Sequence, residues 1–172
     1  MTAALAPDAG WLRRRLPFLC VLLLMLFSFA PWPWVWLHAA LYPLPFLAVC
    51  YWVTHRPDVF TMRSSFLAGC VQDLLSGHLF GLMAFSFLLA DVILRGQQKK
   101  LALGGFGRNW LMVGQLSFLV ASLQWALARF FMHINADYPA MLLQWLPGLL
   151  LYPPLARLFP FLLPDMHKSP RA

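Results

Sequence analysis

The chain has 172 residues, of which 61% are hydrophobic and only 11% are charged, with a mean hydropathy of +0.68. Soluble domains carry about 25% charged residues, and a short chain leaves much of its surface exposed after folding, so this composition excludes an ordinary water-soluble domain. The net charge of +7 comes from basic residues at the ends of apolar blocks, a pattern that sets membrane orientation and argues against a nucleic-acid-binding face.

The first apolar block, 16–30, follows three arginines and ends at Pro31. A charged segment before an apolar one is typical of a signal peptide. No A-x-A cleavage site precedes Pro31, however, and further apolar blocks follow, so we predict a retained first span. The second span is predicted over 35–53, where Pro43 and Pro45 should kink the helix or delay its start.

Residues 64–94 would make one helix about 46 Å long, which exceeds the roughly 30 Å of a bilayer core. A turn signal at Ser76-Gly77-His78 divides this stretch. We therefore predict two short spans, 64–77 and 79–94, which leaves local bilayer thinning or a re-entrant pair open. The fifth and sixth spans are predicted over 109–131 and 139–156.

Six crossings place 12 of the 13 basic residues on one side, which the positive-inside rule makes the cytoplasm. Merging spans three and four would put the basic residues of 95–108 on the side opposite Arg56 and Arg63, against the positive-inside rule. The sequence thus predicts an all-α bundle of six transmembrane helices with both termini in the cytoplasm. Its parts are a cytoplasmic segment 1–15, a membrane domain 16–157 and a cytoplasmic or interfacial tail 158–172.

Asp73 is the clearest charge inside a predicted span. Ser65, Gly69, Asp73 and Gly77 recur at four-residue spacing on one helix face, where small residues allow another helix to approach. Gly77 and Gly81 add a GxxxG across the predicted turn. We expect a structural hub at a helix contact, and a substrate or proton site is the alternative.

Two further polar patterns lie in the later spans. Asp91 and Arg95 have the spacing of an ion pair at the membrane interface. Gln115, Ser122 and Arg129 recur every seven residues and predict a polar stripe on span five that faces other helices, in this subunit or a partner, rather than lipid; Gln144 on span six is a candidate to join it.

The sequence contains no convincing catalytic or metal-binding constellation. Its five histidines include no pair four residues apart, and Ser76 and His78 point in different directions on a helix. The odd number of cysteines, without CxxC spacing, predicts small apolar residues in the spans. We therefore predict no enzyme, no cofactor and no metal.

The run Gly69-x-x-x-Asp73-Leu-Leu-Ser76-Gly77-x-x-x-Gly81 resembles the rod shape-determining protein MreD family. Pro31-Trp-Pro33 after the first span, Tyr51-Trp52 and Pro57 around the end of the second, and the chain length fit the same family. The resemblance covers 16–157, and the tail 158–164, with its prolines and apolar residues, departs from the short basic end of the family.

This resemblance implies a non-enzymatic scaffold in the bacterial inner membrane that serves cell elongation. The implied partners are MreC and, directly or through it, the MreB filament and the sidewall peptidoglycan synthases. The implied fold is similar to the substrate-binding subunits of energy-coupling-factor vitamin transporters, and a homo-oligomer is an open possibility. The expected helix-packing or partner-binding positions are Gly69, Asp73, Ser76, Gly77, Gly81, Gln115, Ser122 and Arg129.

Two other classes of function fit the sequence less well. A vitamin-type transporter subunit would dock its coupling partner through an alanine-rich first helix, but the first span is bulky, with Val21-Leu-Leu-Leu-Met25 and no AxxxA pattern. A membrane hydrolase or transferase would require a nucleophile and a base at matching depth, and none is evident.

Overall fold

The computed structural model describes residues 8–31, 33, 40–77, 81–98, 105–132 and 138–162. Within these ranges the chain forms six α-helices and no β-strand. The helices are α1 (Asp8–Ser28), α2 (Leu44–His55), α3 (Met62–Ser76), α4 (Leu82–Gly96), α5 (Phe106–Met132) and α6 (Tyr138–Leu162).

Each of the six predicted spans corresponds to one helix, so the all-α class and the division of 64–94 are confirmed. Residues 34–39 at the predicted start of span two lie outside the described residues. Pro43 is the N-cap of α2 and Pro45 lies in its first turn, which explains the delayed start, since proline is best accommodated in the first turn of a helix. Helix α6 continues to Leu162, past the predicted end of the span and into the segment expected to be tail.

Helix α2 lies at the centre of the bundle. All of its residues from Leu44 to Val53 are buried, and the helix packs against α1, α4, α5 and α6. Its sequence is apolar on every side, as expected of a helix that is surrounded by other helices. The remaining helices therefore pack around a 12-residue core helix.

Two antiparallel helix pairs complete the bundle. Helices α3 and α4, of 15 residues each, share the most extensive contact, and α5 packs along α6. At about 22 Å, α3 and α4 are shorter than a bilayer core, as predicted. Helix α1 packs on α2 and α3 with Val21, Met25 and Ser28 inward, and leaves Leu19, Leu23 and Leu26 exposed.

Two buried aspartates and many exposed apolar side chains distinguish the bundle from a soluble protein, although most of the core is apolar. Asp73 and Asp91 are 2% and 0% exposed, whereas large apolar side chains such as Leu74 and Phe130 are more than 70% exposed. Among the described residues, one stretch, Phe106–Leu127, is both long and apolar enough to cross a membrane, and Arg15–Ser28 and Leu44–His55 are shorter apolar helices.

Candidate functional site: two aspartate clusters and an exposed polar face

The Asp73 carboxylate caps the first turn of the neighbouring helix. Its Oδ2 accepts hydrogen bonds from the backbone N–H groups of Gly81 at 2.9 Å and Ala84 at 3.2 Å, and its Oδ1 accepts one from Met83 at 2.9 Å. The first N–H groups of a helix have no partner within that helix and favour negative charge. A buried charge and buried unpaired donors therefore satisfy each other.

The glycines on either side of this cap form the turn between α3 and α4. Gly77 ends α3 with φ of +63°, and its N–H donates to the Asp73 carbonyl; Gly81 precedes α4 with φ of +100°. Both conformations are left-handed and favour glycine. A Cβ at either position would meet no atom within 4 Å, so these two positions favour glycine for its backbone conformation and not for a close approach of helices. His78, between them, lies outside the described residues.

Gly69 marks the closest approach of α3 and α4. A Cβ at this position would lie 2.3 Å from the Cα and 2.7 Å from the backbone nitrogen of Ala84. The backbones can reach this distance only because the residue has no side chain, as in other small-residue contacts between membrane helices. Ser76, the last residue of α3, donates its hydroxyl to the Asp73 carbonyl at 3.3 Å, which supports the same end of the pair.

A second cluster holds the opposite end of the pair, around Asp91 on α4. Ser65 of α3 donates its hydroxyl to Asp91 Oδ2 at 2.6 Å, and the Arg95 guanidinium pairs with the same carboxylate. The i, i+4 ion pair was predicted and is confirmed. Each helix thus supplies one buried aspartate that binds groups on the other helix.

Arg95 also joins this cluster to the segment between α2 and α3. Its Nη1 donates to the Pro57 carbonyl at 3.2 Å, and its Nη2 donates to the Phe60 carbonyl. A planar guanidinium offers five donors in a fixed fork, which suits one carboxylate and two carbonyls at once. The sequence identified the ion pair and placed Ser65 on a contact face, but it did not pair Asp91 with Ser65 or Arg95 with Pro57 and Phe60, because no local spacing reveals which residues meet across helices.

The predicted stripe on span five is divided between different surroundings. Gln115 and Arg129 are exposed, and Ser122 is half-buried. Arg129 lies over the ring of Trp125, with 5.5 Å from its guanidinium carbon to the ring centre. Within the described residues, Gln115 has no hydrogen-bond partner, so no helix of this chain covers it there. The side chain of Gln144 lies outside the described residues.

Contacts between α5 and α6 use tryptophans that were not among the predicted site residues. Trp110 donates its indole N–H to the Leu149 carbonyl at 2.9 Å, and Trp145 donates to the Gly114 carbonyl at 3.1 Å. Pro153 has no N–H with which to bond Leu149, four residues earlier. Trp110 therefore satisfies a carbonyl that this proline leaves unpaired. The signal in the sequence was Pro153 itself, because a proline inside a helix leaves the carbonyl four residues earlier without its usual donor.

Both buried aspartates accept hydrogen bonds from fixed groups of the protein. Within the described ranges, no group of three histidine, cysteine or acidic side chains could hold a metal ion. The arrangement connects α3 to α4, and α5 leaves the polar side chains of Gln115 and Arg129 exposed.

The family profile described as rod shape-determining protein MreD matches residues 12–162, nearly the whole chain. The chain belongs to the MreD family. Neither a curated protein nor a solved structure matches it at a significant level.

Membership of the MreD family gives this chain a role in rod shape determination. The profile match confirms the predicted resemblance. MreD proteins are structural membrane proteins. The match extends a few residues beyond the predicted limits of 16–157 at both ends.

Proposed function

We propose that this MreD protein is a non-enzymatic scaffold of the cell-elongation machinery in the bacterial inner membrane. In this proposal it crosses the membrane six times, with both termini in the cytoplasm, and binds the single membrane helix of MreC. Through MreC it connects to the MreB filament and to the sidewall peptidoglycan synthases. The observation that carries the proposal is the exposure of Gln115 and Arg129 on α5.

Gln115 is an exposed amide on an apolar helix. It lies nine residues, or about 14 Å, from the start of α5, which is close to mid-bilayer for a spanning helix. Its neighbours on the exposed face, Leu111, Phe118 and Leu119, are apolar. An amide without a partner in hydrocarbon costs several kcal/mol, so a second molecule that offers a donor or acceptor would bind this face favourably.

Charge on the same face favours a different chain over a second copy. In a parallel symmetric pair formed through the exposed face of α5, each Arg129 would lie near its equivalent, and like charges at close range repel. A partner helix without a cation at this level meets no such repulsion. The seven-residue spacing of Gln115, Ser122 and Arg129 suits a left-handed crossing with one such helix.

The direct test is co-purification of MreC with the variant Gln115→Leu/Ser122→Leu. Polar contacts between membrane helices contribute about 0.6 to 1.7 kcal/mol each, so removing each one should lower MreC recovery about threefold to fifteenfold. Gln124→Leu is the matched control, because Gln124 lies on the same helix but donates to Met83 of α4 at 3.1 Å. Unchanged MreC recovery with the double variant would rule out α5 as the contact.

The cellular test is depletion of the protein in its own host. We expect rods to swell into spheres and sidewall labelling to become diffuse. Cells that stay rod-shaped but no longer take up a nutrient would contradict the scaffold and support a vitamin-type transporter subunit. The double variant should reproduce the shape defect if its MreC contact is the relevant one.

A further inference from the structure

A shallow groove opens on the outer face of the α3–α4 pair. Its lining consists of Met62, Arg63, Phe66 and Leu67 from the first two turns of α3 and Leu88 from α4. The lining surface is almost wholly apolar, apart from the arginine at one end. Phe66 and Leu67 are about half exposed, so the described chain leaves the floor of the groove open.

Arg63 is an exposed cation without an acidic partner among the described residues. The first turn of α3 contains no acidic residue, and the Asp73 and Asp91 carboxylates are buried in their own clusters. Asp58, in the segment before α3, is exposed, and within the described ranges it forms no ion pair with Arg63. The groove therefore has a positive end and an apolar floor.

We propose that this groove binds one anionic phospholipid. Arg63 contacts the headgroup phosphate, and the part of one acyl chain nearest the headgroup lies along Phe66, Leu67 and Leu88. A phosphate is the group that the guanidinium fork binds in a bidentate manner. The groove is positively charged at Arg63 and apolar further along α3. A phospholipid is anionic at its headgroup and apolar along its acyl chains, so the two match when the headgroup lies at Arg63.

The shape of the groove favours a lipid over a protein helix. Its lining covers about 8 Å along α3, from Met62 to Leu67, which is a short length for a helix–helix contact. Membrane helices also pack through small residues, and this surface presents Met62, Phe66 and Leu67 instead. A flexible acyl chain can follow such a surface without close backbone approach.

The test is native mass spectrometry of the full chain in detergent with added phosphatidylglycerol or phosphatidylcholine of identical acyl chains. We expect phosphatidylglycerol to bind about tenfold more tightly, because both lipids offer a phosphate to Arg63 but the choline cation of phosphatidylcholine repels the guanidinium and cancels the net charge of the headgroup. Arg63→Gln should remove that preference, and Arg63→Lys should keep part of it. The matched control is Arg157→Gln, an exposed arginine on α6 outside the groove, which should leave the preference unchanged.

A second pair of variants tests the apolar floor. Leu88→Trp should fill the groove and weaken phosphatidylglycerol binding at least about threefold with Arg63 intact, whereas Leu150→Trp, on the exposed face of α6, should not. Unfolding temperatures in the same detergent report whether each variant folds.

Three outcomes would overturn the proposal. The first is equal affinity for the two lipids or equal losses for Arg63→Gln and Arg157→Gln. The second is full competition by soluble glycerol phosphate, which would indicate a free anion site. The third is a dimer mass that Leu88→Trp abolishes, which would indicate a second copy of the chain in the groove.

Discussion

Asp73 and Asp91 show how single residues hold this bundle together. Each carboxylate is almost fully buried, and each accepts at least one hydrogen bond from the other helix of the α3–α4 pair. Asp73 accepts three backbone N–H groups, and Asp91 accepts a hydroxyl and a guanidinium. In a low-dielectric interior, the loss of any one partner leaves another buried polar group unsatisfied, which destabilises the fold.

We expect Asp73→Asn to lower the free energy of unfolding by about 1 to 3 kcal/mol. An amide has one acceptor oxygen, so it can satisfy only part of the three N–H groups, and its NH₂ group would face a donor. SDS titration of the purified protein in mixed micelles measures the change. Asp58→Asn, at an exposed position, is the control and should change the value little. Equal stability of Asp73→Asn and the parent protein would contradict the role of the cap.

Trp110 offers a second test at the residue scale. Trp110→Phe removes the indole donor and leaves the Leu149 carbonyl unpaired, at an expected cost of about 1 to 2 kcal/mol. Pro153→Ala restores the N–H that can bond that carbonyl within α6. The cost of Trp110→Phe should therefore be smaller in the Pro153→Ala background, and a double-mutant cycle by SDS titration measures the coupling. Strictly additive costs would show that the two groups do not share the carbonyl.

At the scale of helices, the α3–α4 pair depends on backbone contact at Gly69. Gly69→Ala places a methyl group against the backbone of Ala84, which cannot move aside as a side chain could. We expect a loss of about 1 to 3 kcal/mol as the two helices separate. Gly96→Ala is the matched control, because a Cβ there meets nothing within 4 Å and alanine is the better helix former. Similar SDS unfolding curves for both variants would rule out the close approach.

Local pattern was enough to predict the six helices, the division of 64–94 and a helix contact around Asp73. Hydrophobic blocks, prolines and the small-residue series carry that information within short segments of sequence. The pairing of Asp91 with Ser65 was not predictable, because Ser65 lies 26 residues away and its spacing to Asp91 has no periodic meaning. The stripe on α5 could be identified because its seven-residue spacing is local. The exposure of Gln115 depends on how the other helices pack, so only the structure shows it.

At the scale of the whole molecule, the bundle has an apolar core with two buried aspartates and leaves large apolar side chains exposed. With six crossings, the segment near Asp58 faces the cytoplasm, and the bend at Pro33 and the α3–α4 turn face the opposite side. In a chain whose three cysteines are replaced by alanine, a small impermeant maleimide should label Pro33→Cys and Ser76→Cys in intact cells. It should label Asp58→Cys and Gln97→Cys only after lysis.

Two results of the labelling experiment would change the topology. Labelling of Asp58→Cys in intact cells would contradict six crossings. Protection of Ser76→Cys in intact cells, with labelling of Pro33→Cys, would show that α3 and α4 form a re-entrant pair. The length of these helices, 15 residues each, makes this the most informative position.

The cap on α4 has a consequence for biogenesis. A nascent α3 alone in lipid would carry an unpaired carboxylate, and a nascent α4 alone would carry unpaired N–H groups in its first turn. The carboxylate and the N–H groups are satisfied only when α3 and α4 are in contact. The two helices should therefore leave the insertion machinery as one unit, with the turn closed by Gly77 and Gly81 before either helix meets the lipid.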